Sequence, residues 1–122
     1  DRLDPVRRDA EGARSMRPDA LEVFISDATS LNPVIHSQAR FIILNILNAV
    51  DSCDAGFLIE SMRITWGNFS THMARLEAEG YVSSAKDFDN RKPRTRVAIT
   101  ELGRNELEAY IKTMRSILGM VE

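Results

Sequence analysis

The chain has 122 residues, 43% of them hydrophobic and 28% charged, with a formal net charge of -2. That is room for one core, and it excludes an intrinsically disordered chain. Arg, Asn or Asp interrupts every apolar run well short of the roughly 18 residues a bilayer span needs, so no membrane partner is expected.

Residues 1–17 set Arg2, Arg7, Arg8, Arg14 and Arg17 against Asp1, Asp4, Asp9 and Glu11. Too few apolar residues remain to bury, so a flexible arm is expected there, followed by one domain over 18–122. Pro18-Asp19 starts a helix, with Pro in the first turn and an acid at the positive dipole end. Leu21, Phe24, Ile25, Ala28 and Leu31 follow at helical spacing, and Asn32-Pro33 stops it. Ser37 caps a second helix reaching Val50, whose Phe41, Ile42, Leu44, Ile46, Leu47 and Val50 make it apolar on more than one side.

Asp51-Ser52-Cys53-Asp54 reads as a polar break. A short helix from Ala55 to about Met62 is expected to turn Phe57, Leu58 and Met62 inward. After a tight turn at Arg63-Ile64, Thr65 caps a helix from Trp66 to Glu79 that ends at Gly80. Phe69, Met73 and Leu76 fall within about a 60° arc of that helix at roughly 100° per residue, while Asn68, Thr71, Arg75 and Ala78 lie opposite. An outer face that is small and hydrogen-bonding is not that of a generic solvated helix.

Two strands follow, 81–88 and 96–100, around a loop 89–95 longer than a tight hairpin needs. Lys86, Arg91, Lys92, Arg94 and Arg96 against Asp87 and Asp89 give residues 86–96 a local charge of +3, leaving -5 for the rest. Thr100 caps a last helix over about 101–120, striped with Leu107, Tyr110, Ile111, Met114, Ile117, Leu118 and Val121. The fold class expected is mainly α with a small β-hairpin.

The order of helix, short helix, turn, helix, two strands with a basic loop and long helix is that of a winged helix-turn-helix. Leu31-Asn32-Pro33-Val34-Ile35-His36-Ser37 leading into Arg40, Gly67-Asn68-Phe69-Ser70-Thr71-His72-Met73 with Leu76-Glu77, and Gly80-Tyr81-Val82 resemble the MarR-like winged-helix transcriptional regulators of bacteria and archaea. Arg91-Lys92-Pro93-Arg94-Thr95 and Thr100-Glu101-Leu102-Gly103-Arg104 look like that family's wing tip and entry to its final helix. The resemblance covers about residues 31–118. Trp66 departs from it, because a small or polar residue is more usual in the first turn of the recognition helix. The extension 1–30 also lies outside the shared pattern.

The resemblance implies that helix 66–79 lies in the major groove of double-stranded DNA, with Asn68, Ser70, Thr71, His72 and Arg75 as candidate contacts. His72 flanks the apolar arc, where a partly buried helix residue is the alternative. The wing cations Arg91, Lys92, Arg94 and Arg96 would reach phosphates or the minor groove. The apolar faces of the terminal helices are broad for so small a core. Leu21, Phe24, Ile25, Tyr110, Ile111, Met114, Ile117 and Leu118 are therefore candidates for a homodimer interface, as in related regulators; closure over the monomer core is the alternative. A repressor that occludes a promoter needs no activation surface and is the expected mode.

Other chemistry has little support. Cys53, His36 and His72 are scattered, so no metal or cofactor is expected. No nucleophile–base constellation, phosphate-binding glycine loop or dinucleotide fingerprint appears, so no enzyme is expected. The single cysteine, Cys53, excludes an internal disulfide framework. With Asp1-Arg2-Leu3-Asp4-Pro5 lacking the features of a secretory signal, a cytoplasmic location is expected. A small-molecule effector between dimer helices and winged domain would find no nameable polar anchor. The rival class is a winged-helix protein-interaction module whose basic loop docks on an acidic partner; it would cover the outer face of helix 66–79, which a DNA reader leaves free.

Overall fold

The computed structural model describes residues 16–121, which form five helices and one three-stranded sheet. In chain order these are α1 (Pro18–Ser30), α2 (Gln38–Val50), β1 (Ser52–Asp54), α3 (Ala55–Met62), α4 (Trp66–Ala78), β2 (Val82–Asp89), β3 (Lys92–Ile99) and α5 (Glu101–Val121). Two compact units result: the described residues of 1–31 with 110–121, and Asn32–Ala109. The flexible arm expected over 1–17 lies, through residue 15, outside the described residues.

Within Asn32–Ala109 the helix ends follow the local chemistry of the sequence. Ser37 caps α2 by accepting from the Arg40 amide, and Thr65 caps α4 by accepting from the Asn68 amide at 3.0 Å. Asp54 does the same for α3 through Gly56. The C-terminus of α4 is closed by two bonds, Gly80 N–H to the Glu77 carbonyl and Tyr81 N–H to the Leu76 carbonyl. Gly80 sits at φ +77°, the left-handed conformation this closure requires.

The core of this unit is built on α2, where Ile43, Leu44 and Leu47 are fully buried. Each contributes roughly 1.5–3 kcal/mol by leaving water. Leu58 from α3, Phe69, Met73 and Leu76 from α4, and Val97 from β3 close around it. Phe57, expected inward, is instead 56% exposed. It is Ile59 that turns in with Leu58, because an eight-residue helix offers the core only one narrow side.

The sheet corrects the sequence reading twice. Ser52-Cys53-Asp54 is a strand rather than a break, and it pairs antiparallel with β3 through Ser52–Ala98, Cys53–Val97 and Asp54–Arg96. Three residues with no apolar alternation give no strand signal of their own; β3 supplies the ladder. The sheet order is therefore β1-β3-β2, and the hairpin is one edge of it.

The hairpin turn is also shorter than expected. β2 and β3 pair from Val82–Ile99 out to Asp89–Lys92, leaving only Asn90 and Arg91 in the turn. Both have positive φ, 51° and 65°, the geometry that matches a two-residue turn to the right-handed twist of its strands. Arginine is an uncommon second residue for such a turn, so the sequence signal was weak. Pro93 fits in β3 because the pair next to a two-residue turn's flanking pair is not hydrogen-bonded. Its missing N–H thus faces away from β2, and β1 does not extend that far.

In the other unit α1 buries none of its residues. Val23, Ile25, Leu118 and Val121 are each about half exposed, at 51%, 57%, 52% and 55%. Leu21, Phe24, Ile111 and Met114 are half-buried, and Tyr110 and Ile117 are buried within the chain itself. No helix among the described residues is long and apolar enough to cross a membrane.

Candidate nucleic-acid interface

The candidate surface belongs to one unit, Asn32–Ala109, and is made by α4 and the β2–β3 wing. Phe69, Met73 and Leu76 anchor α4 with exposures of 4%, 4% and 0%, which fixes its rotation about its own axis. Asn68, Ser70, Thr71 and Arg75 are then all exposed, while His72 is half-buried. At about 100° per residue, Gly67, Thr71, Ala74 and Ala78 form the outermost ridge. This low ridge lets a helix backbone approach a groove floor closely. Thr71 spends its hydroxyl proton on the Gly67 carbonyl at 3.0 Å and keeps acceptor lone pairs.

The expected contacts divide across that ridge. Asn68, His72 and Arg75 share the flank toward α2, within about 60° of one another. Ser70 lies on the other flank, about 200° from Asn68. With Glu77, Ser84 and Thr95 it lines a cleft of about 190 Å³ between α4 and the sheet. Trp66 borders the same cleft, 58% exposed, with its ring edge-on to Phe69 at 6.5 Å between centroids. The indole thus covers the first turn of α4 from the wing side.

His72 is engaged within the chain: its Nδ1 lies 3.1 Å from Arg40 Nη1. Arg40, part of the family resemblance in the sequence, carried no expected site role there. Its Nε donates to the Val34 carbonyl, so the guanidinium is held from the loop before α2. Burial foremost, then the Arg40 charge, holds the His72 imidazole below its ordinary pKa.

The wing has two unlike faces, because alternate strand residues point oppositely. Lys86, Phe88, Pro93 and Thr95 continue the face that carries buried Val82, Val97 and Ile99. Lys92, Arg94 and Arg96 lie on the other face with Asp87 and Asp89. There Arg94 Nε donates to Asp87 Oδ1 at 2.6 Å and its Nη1 lies 3.7 Å from Asp89. Arg96 donates to Ser52 Oγ at 3.1 Å. The hydrogen bond from Arg94 holds the Asp87 carboxyl below its usual range and raises Arg94. Two of the four expected wing cations are therefore occupied. Arg91 in the turn and Lys92 beside it are exposed, and no ion pair among the described residues includes them.

Residues 39–118 match the family model of the winged helix DNA-binding domain. The chain belongs to that family. An uncharacterized protein of Methanocaldococcus jannaschii is 31% identical to this winged helix over 89 residues, which are 73% of this chain and 97% of that protein. A transcriptional regulator homologue of Pyrococcus horikoshii superposes with a TM-score of 0.72 at 21% identity, covering 85% of this chain and 98% of the other. A MarR-family transcriptional regulator of Silicibacter pomeroyi gives 0.56 at 24% identity, over 81% and 66% of the two chains. Bordetella bronchiseptica BpsR, whose DNA binding is regulated by 6-hydroxynicotinic acid, gives 0.59 at 17% identity, over 84% and 78%. At these identities the likeness to the solved structures is one of fold.

In this winged helix no group of three or more His, Cys, Asp or Glu among the described residues could hold a metal ion. Cys53 sits half-buried in β1 opposite Val97, and burial, its largest influence, pushes the thiol above its ordinary pKa. The thiolate needed for redox reactivity is thereby disfavoured.

Proposed function

We propose that this winged helix is a sequence-specific regulator of transcription that binds double-stranded DNA as a homodimer and represses by covering a promoter. The observation that carries the reading is the low ridge of α4, flanked by exposed Asn68 and Arg75, in the same unit as a wing whose turn presents Arg91 and Lys92. Asn68 can pair with adenine and Arg75 with guanine in the major groove, each good pair discriminating by about 1–3 kcal/mol. Thr71 accepts from a base or lies against a thymine methyl. Arg91 and Lys92 neutralise phosphates or enter the minor groove, fixing the register without reading sequence.

One helix reads too few bases to select a genomic site, so two protomers are required. The apolar positions of α1 and the end of α5, Ile25 and Leu118 among them, supply the surface for that pairing. The neighbour regulated by 6-hydroxynicotinic acid makes a small aromatic effector reasonable for this chain too. Selection from a random duplex pool tests the reading. The expected product is a two-fold symmetric site with half-sites about 10 bp or a multiple apart, and enrichment of no sequence would overturn it.

A further inference from the structure

Arg40, His72 and Arg75 bring three nitrogen bases together between α2 and α4. A guanidinium only donates, so in the 3.1 Å contact His72 Nδ1 is the acceptor and the neutral ring carries its proton on Nε2. Arg40 faces His72 from α2, and Arg75 stands one turn along α4, near enough for its charge to act on Arg40. The first turn of α2 contains no acid. Burial and then Arg75 lower the Arg40 pKa, while burial and then Arg40 lower that of His72. The charges that meet here repel one another, no ion pair among the described residues brings an acid to them, and Glu79, one turn beyond Arg75, is exposed. It lies on the flank of α4 that also carries Asn68, at the border between ridge and core.

We propose that Arg40 and His72 clamp one phosphate of the DNA backbone beside the base that Arg75 reads, and that His72 takes up a proton from solvent as the phosphate arrives. This inference rests on the DNA-binding reading above. The phosphate oxygens draw the Arg40 Nη donors away from the imidazole while Nε stays on the Val34 carbonyl. Nδ1, no longer accepting, gains the solvent proton and donates it in a hydrogen bond to the same phosphate. No bond other than N–H forms, and the added positive charge offsets part of the phosphate's negative one.

The imidazole is kept neutral in the free protein and favoured as imidazolium in the complex. Affinity for DNA therefore rises as pH falls, by up to about tenfold per pH unit for each proton taken up. The chain has only two histidines, His36 and His72, so the source of the effect can be assigned.

The test is fluorescence anisotropy with a labelled mixed-sequence duplex at low salt, between about pH 5.5 and 8, on wild type, His72→Gln and His36→Gln. Calorimetry in buffers of different ionisation heat counts the protons. Proton uptake and a pH-dependent Kd in wild type and His36→Gln, both lost in His72→Gln, are expected. Binding without proton uptake, or uptake that persists in His72→Gln, overturns the clamp while leaving the DNA reading intact. No binding at any pH overturns the DNA reading itself.

Discussion

Gly103 and Gly119 both lie in α5, and the same substitution should act on them in opposite directions. A methyl at Gly103 overlaps the backbone carbonyl oxygen of Tyr81 and comes within 3.0 Å of Ile99 Cγ1 and the Tyr81 carbonyl carbon. At Gly119 nothing lies within 4 Å. Alanine favours a helix over glycine by about 1 kcal/mol at either place. At Gly103 that gain is opposed by about 1–3 kcal/mol of overpacking against a backbone that cannot rotate aside. The displaced Tyr81 carbonyl also accepts the Thr100 amide at 3.0 Å, a bond worth about 1 kcal/mol. Gly103→Ala should therefore destabilise by about 1–3 kcal/mol, and Gly119→Ala should stabilise by up to about 1 kcal/mol. For a chain of this size each kcal/mol moves Tm by about 3–6 °C. Circular-dichroism melts and urea titrations of the two variants read the difference. A Gly103→Ala protein as stable as wild type would refute the close seating of α5 on the start of β2.

Four further outcomes follow from the geometry of the fold. Gly67→Ala has open space around it and should stabilise the fold by up to about 1 kcal/mol, yet weaken duplex binding by raising the ridge of α4; melts and anisotropy separate the two effects. Asp87→Asn releases Arg94 from its carboxylate, so DNA affinity should rise and the salt slope steepen by up to about 0.9 per protomer. The same pair sets an acid limit: the Asp87 carboxyl is held low, so its contribution to stability is complete above the ordinary carboxylate range and is lost as pH falls below it. Wild type should sediment as a dimer, and Ile25→Asp with Leu118→Asp should leave the secondary structure intact and yield a monomer.

Where a residue's neighbours are close in the chain, the sequence was a good guide. Ser37, Thr65 and Thr100 cap helices as their positions imply, and the apolar arc of Phe69, Met73 and Leu76 is buried as its spacing requires. The strand Ser52–Asp54 was illegible because its stability comes from β3, more than 40 positions away. The turn was hidden because Arg91, not glycine, occupies a left-handed position. That Arg94 faces Asp87 and not solvent depends on strand register, which a basic-loop count does not contain. Ser70, two positions from Asn68, lies on the opposite flank of α4, a separation a plain residue count does not show. Arg40 became a site residue only when the fold brought it to His72.

The central claim is that the wing turn of this winged helix holds DNA by its phosphates. The most direct measurement is duplex affinity across a salt series for wild type and Arg91→Ala/Lys92→Ala. Removing two phosphate contacts should lower the slope of log K against log salt by about 1.8 per protomer, with Tm unchanged. A double variant that keeps both the affinity and the slope of wild type would contradict the claim.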